Sequence, residues 1–98
     1  MKTFAIRIEG TGINLLVQDG SDPAIGFFTT RWVKALSETN AQELAKASIL
    51  SEWTGVGEYG AANKGELPAL IVEAVWTIGF VRATFCRKPG GYTFYTSL

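Results

Sequence analysis

Residues 26–53 read GFFTTRWVKALSETNAQELAKASILSEW, and the fold class turns on where this run changes its period. Gly26 to Leu36 is rich in Phe, Thr, Trp and Val, the side chains that a pleated surface accommodates well. This half predicts a long strand. One face carries Phe27, Thr29, Arg31, Val33 and Ala35, the other Phe28, Thr30, Trp32, Lys34 and Leu36. Neither face is plainly polar, so the sequence leaves open which one meets a helix. From Ser37 the spacing becomes helical. Ala41, Leu44, Ala45, Ser48 and Ile49 fall on one stripe, which Leu50 and Trp53 widen. Ser37 or Thr39 can cap the helix, and Thr39 with Gln42 spells a capping box. A helix is predicted over about 39–53, stopping before Gly55.

Upstream, Phe4, Ile6 and Ile8 alternate with Ala5, Arg7 and Glu9, the period of a half-buried strand. Gly10-Thr11-Gly12 reads as a turn, Ile13 to Gln18 as a second strand pairing back, and 19–23 as a cluster of turn formers. Downstream of the helix, TGVGEYGAANKGELP holds four glycines in fifteen residues. Leu67 to Ile78 then reads as the most buried strand. Leu70, Val72, Ala74, Trp76 and Ile78 line one face, Ala69, Ile71 and Val75 the other, and only Glu73 interrupts. A strand apolar on both faces must be covered on both. Phe80 to Leu98 reads as a hairpin turning at Pro89-Gly90-Gly91. The expectation is a single α+β domain over 1–98, an antiparallel sheet of about four to six strands packed on one main helix.

The chain of 98 residues is 47% hydrophobic and carries six Phe, three Tyr and three Trp. One helix covers one face of a sheet, so this aromatic surface predicts a second cover. A second subunit is the economical one, which makes a homodimer through the sheet the expected partner, with Trp76, Tyr92 and Phe94 as interface residues. Nine basic and nine acidic side chains cancel. That balance argues against nucleic acid and against an anionic membrane as partners. It is uneven along the chain: Phe80 to Leu98 holds Arg82, Arg87 and Lys88 with no acid, while Leu36 to Glu66 holds five acids against two lysines. The lone Cys86 permits no intramolecular disulfide and fits a reducing compartment. The opening MKTFAIRIEG is not of signal-peptide type, and the longest apolar run, Leu67 to Val72, is too short to span a bilayer. A cytoplasmic protein is expected.

The chemistry-bearing motifs are few. GVGEYG, residues 55–60, matches G-x-G-x-x-G, the spelling of a dinucleotide loop. Such a loop leaves a strand and opens a helix; this one follows a helix, so no cofactor is expected and a glycine-rich connection is. Tyr59 at its tip could fold back or touch a partner. Histidine is absent. Zinc, haem and iron–sulfur sites therefore lack their usual donors, so no metal site is expected, and the commonest general base is missing. Arg82, Arg87 and Lys88 near Cys86 would lower a thiol pKa, but a packed cysteine is the simpler reading. Glu73 in an apolar strand is the best candidate for a perturbed carboxylate, unless a cation such as Arg31 or Arg82 meets it. Arg31-Trp32 with Tyr92, Phe94 and Tyr95 evokes sheets that stack single-stranded bases.

The strand GFFTTRWVKA, Gly26 to Ala35, followed by SETNAQELAKASI, resembles a group of small bacterial proteins sharing a G-F-[FY]-T-T-R-[WF]-V-x-A strand and an alanine-rich helix. The likeness covers about the middle quarter of the chain, at Thr29, Thr30, Arg31 and Trp32 above all. It implies a small α+β domain and carries no established reaction. The leading expectation is a non-enzymatic interaction domain that self-associates or binds another protein, with no catalytic residue. Two alternatives are a small-molecule or catalytic cleft bounded by Arg31, Glu73 and the 54–66 loop, and a single-stranded RNA-binding module. Candidate binding residues are Arg31, Trp32, Tyr59 and Glu73.

Overall fold

The computed structural model describes residues 1–16, 22–54, 57, 59–85 (backbone alone at 80, 83 and 85) and 90–96. Its elements are β1 (Lys2–Leu15), β2 (Ala24–Ala35), α1 (Glu38–Trp53), β3 (Ala69–Ile78), α2 (Phe80–Phe85) and β4 (Tyr92–Thr96). The four strands form one antiparallel sheet in the order β3-β1-β2-β4. With α1 on one face this is the expected α+β class, at the lower end of the expected strand number.

The expected turn at Gly10-Thr11-Gly12 does not form. β1 runs on through it as one strand, with Gly10 paired to Phe27 and Leu70, and Thr11 to Gly26 and Ala69. Gly12 takes φ +88°, in the left-handed region that favours glycine. There the β1–β2 register shifts, between Thr11 and Leu15, so the strand bends without reversing. A continuous β1 takes the centre of the sheet. Phe4, Ile6 and Ile8 are buried on the α1 side, and Ala5 is buried on the other.

The strand expected to be the most buried is instead an edge. Ile78, at 8% exposed, is its only buried side chain, and Leu70, Val72 and Val75 are half-buried. Hydrophobicity did not decide its place; pairing did, because β1 offers β3 one side and β2 the other. A bulge also breaks its alternation. Arg7 pairs with Ala74 and Ile8 with Val72, which leaves Glu73 extra. The α1 side therefore receives Leu70 and Val72, then Val75, and not Ala74 or Trp76. The expected C-terminal hairpin is also replaced. Phe80–Phe85 makes the short α2, and β4 pairs with β2 at the opposite edge. Cys86, Arg87, Lys88 and Pro89 lie outside the described residues, as does most of the 19–23 turn.

α1 begins where expected, but Ser37 alone caps it, its Oγ accepting from the Asn40 N–H at 3.2 Å. The buried stripe is narrower than expected: Ala41, Ala45, Ile49 and Trp53, one residue every fourth position. Two alanines at its start let the helix backbone approach the sheet, while Leu44 stays 45% exposed. Trp53 closes the stripe against Phe27, whose ring is fully buried. No described helix is long and apolar enough to cross a membrane.

Candidate functional site

The two faces of the sheet carry different chemistry. On the α1 side, β2 contributes Phe27, Thr29 and Arg31, β4 contributes Tyr92 and Phe94, and the last turn of α1 contributes Glu52 and Trp53. Arg31 Nη1 donates to Glu52 Oε2 at 2.8 Å, and Nη2 to Oε1 at 3.3 Å. The Tyr92 hydroxyl donates to Glu52 Oε1 at 2.8 Å and accepts from Trp53 Nε1 at 3.3 Å. Arg31 Nε donates to the Thr29 hydroxyl at 3.3 Å, which donates to the Gly91 carbonyl at 3.0 Å. The guanidinium also sits 5.2 Å from the Tyr92 ring centre. Burial of Glu52 opposes its charge, yet the hydrogen bonds from Arg31 and Tyr92 outweigh this and hold the carboxyl below its usual value. Burial disfavours the Arg31 charge too, and Glu52 restores and raises it. Tyr92 is pushed well up, first by burial and then by its bond to Glu52. These bonds hold α1, β2 and β4 together.

Around it five rings pack edge to face and in stacks: Phe27, Trp53, Tyr59, Tyr92 and Phe94. Tyr59 stacks on Trp53 at 4.7 Å, so the tip of GVGEYG folds back onto the core. Of that motif, Gly57, Tyr59 and Gly60 are described. Their N–H groups donate to the carbonyls of Thr54, Glu52 and Gly57. The segment continues as a strap along β1: Lys64 N–H donates to the Asn14 carbonyl and Glu66 N–H to that of Gly12. Asn63 pins it, its Oδ1 accepting from Asn14 N–H at 2.9 Å.

The opposite face bears Ala5, Arg7 and Glu9 on β1, Phe28, Thr30 and Trp32 on β2, Ile71 and Trp76 on β3, and Tyr95 on β4. Trp76 and Trp32 are the two cross-strand neighbours of Ala5. Long side chains lie flat on this face. Arg7 covers Phe28 at 5.0 Å and pairs with Glu73 at 3.1 Å. Arg82 of α2 covers Trp32 at 5.7 Å. Tyr95 lies over Gly26 and against Phe28, its hydroxyl donating to Glu9 Oε2 at 2.6 Å. That bond, more than its slight desolvation, pushes the Tyr95 phenol up to about 12. Ile71 and Trp76 remain open, at 55% and 42% exposed.

The expected site residues are therefore split. Arg31, Tyr59, Tyr92 and Phe94 lie on the α1 side; Trp32, Glu73 and Trp76 lie on the other. The sheet separates Arg31 from Glu73, so they do not bound one cleft, and Glu73 meets Arg7 and neither Arg31 nor Arg82. The sequence did not single out Glu52, Glu9 or Arg7, and it offered Tyr95 only as a stacking ring, not as the partner of Glu9. Glu52 beside Trp53 in the last helical turn was the readable signal; the rest needed the strand register. Among the described residues no group of three or more acidic or cysteine side chains gathers as a metal site would require. No protein family, curated protein or solved structure matches the chain.

Proposed function

We propose that the chain is a protein-interaction domain that pairs with a second copy of itself through the sheet face opposite α1. The observation that carries this reading is the exposure of Trp76 and Ile71 beside half-buried Phe28 and Trp32 on a face that α1 does not cover. Aromatic and arginine side chains are enriched at interface centres, and this face offers Phe28, Trp32, Trp76 and Arg7 together. The patch is smaller than the composition suggested, because Tyr92, Phe94 and Tyr59 are taken up on the α1 side. α2, six residues long, adds a partial lid at the Trp32 end. An intracellular setting belongs to the same reading, on the ground of the single cysteine.

Sedimentation velocity across a concentration series tests it. A reversible dimer is expected, weakened about tenfold or more by Trp76→Ser with the circular dichroism spectrum unchanged. A 10.6 kDa monomer at every concentration overturns it.

A further inference from the structure

Where β1 begins, β2 ends and β3 passes to α2, the sheet ends in a cleft of ≈ 840 Å³. Lys2, Thr3, Lys34, Thr77, Ile78 and Thr84 line it. That volume is in the range of small-molecule sites. With Met1, which also lines it, the cleft combines two lysine ammonium groups and three hydroxyls with the apolar side chains of Met1 and Ile78. It contains no carboxylate, so it does not suit a metal cation. Elsewhere among the described residues Arg7 and Arg31 are spent on Glu73 and Glu52, whereas Lys2 and Lys34 are in no ion pair. Arg82 adds a third positive charge on the Lys34 side of the sheet, over Trp32. Glu38 lines the adjoining cleft together with Lys2, and leaves Lys34 unopposed. In a chain of zero net charge such a concentration of one sign is local, not a by-product of overall basicity.

We propose that this cleft binds a small organic anion, a phosphate monoester carried on an apolar body. The lysines supply charge-assisted hydrogen bonds to the phosphoryl oxygens from two sides. The Thr3, Thr77 and Thr84 hydroxyls donate to the oxygens that remain, and the apolar body rests against Met1 and the edge of Ile78 that reaches the cleft. Because both lysines are exposed, affinity is modest, on the order of 1 mM or somewhat tighter, and falls as salt rises.

Phenyl phosphate is the probe, titrated into the full chain and followed by amide chemical shifts at about 150 mM salt. Saturable shifts centred on residues 2–3, 34, 77–78 and 84 are expected. Lys34→Gln and Lys2→Gln should each weaken binding about fivefold to tenfold, at unchanged melting temperature since both side chains point to solvent. Inorganic phosphate should bind the same residues more weakly, and phenol should not bind. Shifts that never saturate, that centre elsewhere, or that persist undiminished in the Lys2→Gln/Lys34→Gln double variant overturn the proposal. The same titration on Trp76→Ser separates it from dimerisation: the anion should bind equally well there, and loss of binding in that variant would overturn the site as placed.

Discussion

Arg31 on β2 and Glu52 on α1 face each other in a two-pronged ion pair, 2.8 Å on one side and 3.3 Å on the other. The pair ties the last turn of the helix to the middle of the sheet. Through Thr29 and Tyr92 it also holds Gly91 and β4.

Removing the carboxylate leaves a guanidinium whose side chain is only 12% exposed without its charge partner. Exposed pairs contribute ~0.2–1 kcal/mol, and breaking buried ones costs ~3–5 kcal/mol. Glu52→Gln should lie between, at about 2 kcal/mol, or roughly 10 °C of melting temperature for a domain of this size. Acid should act through the same contact. The folded-state pKa of Glu52 lies below the usual 4.5, so as pH falls the unfolded chain takes up the proton first. The stabilisation is complete above pH 4.5 and is lost as pH drops through the lower folded value. Denaturant melts from pH 6 down to pH 3 should show a flatter slope for Glu52→Gln than for the parent; equal slopes would place the acid sensitivity elsewhere.

Tyr95 and Glu9 give the opposite dependence. A phenol raised from 10.0 to about 12 holds its proton more tightly in the folded chain. Its contribution is complete below pH 10 and is lost as pH rises towards 12. Phenolate absorbance should show a late step near pH 12 that Tyr95→Phe removes, and the variant should be less sensitive to alkali. The side chain lies on the outer face, so the effect at neutral pH should be at most about 1 kcal/mol.

Two glycines sit beneath rings of neighbouring strands, one on each face: Gly10 under Phe27 and Gly26 under Tyr95. A methyl group at either place would occupy the ring's own volume. The costs should differ, because Phe27 is boxed in by Trp53, Tyr92 and Phe94, whereas Tyr95 can swing outward. Gly10→Ala is expected to cost about 3 kcal/mol and Gly26→Ala about 1 kcal/mol. Chemical denaturation of the two variants measures the order, and the reverse order would mean that the core ring is the freer one.

Local pattern carried as far as α1 and the long β2 strand, where the helical period and the Ser37 cap agree with the packing, although Leu44 and Ser48 stay outside the buried stripe. It did not carry to β1, because Gly10-Thr11-Gly12 has turn composition but pairs on both sides, and only the partner strands show that. Nor did it carry to β3, whose apolar run matches a central strand until the sheet order puts it at the edge and a bulge at Glu73 shifts its faces. Arg31 was legible as a functional candidate by its place in an aromatic strand; its partner Glu52 lies 21 residues on, and only the docking angle of α1 brings them together. Tyr92 and Phe94 were legible as large rings in need of cover, but composition cannot say which face receives them. The glycine-rich segment spelled a phosphate loop, while the hydrogen bonds of its neighbour Asn63 make its distal part a strap.

That strap gives the most local of the expected effects. Asn63 Oδ1 accepts from Asn14 N–H at 2.9 Å and from Gly65 N–H at 3.0 Å, and Nδ2 donates to the Glu66 carbonyl at 2.9 Å. All three bonds are exposed, so water replaces them when the amide is removed, and the net cost of Asn63→Ala should be about 1–2 kcal/mol. The loss should be regional, since the strap closes over the end of β1 and not over its Phe4–Ile8 core. Hydrogen exchange should speed up at the amides of Asn14, Lys64 and Glu66, while those of residues 4–8 keep their protection. Uniform acceleration across both sets would mean that the strap and the sheet open together, and that the glycine-rich segment belongs to the cooperative core.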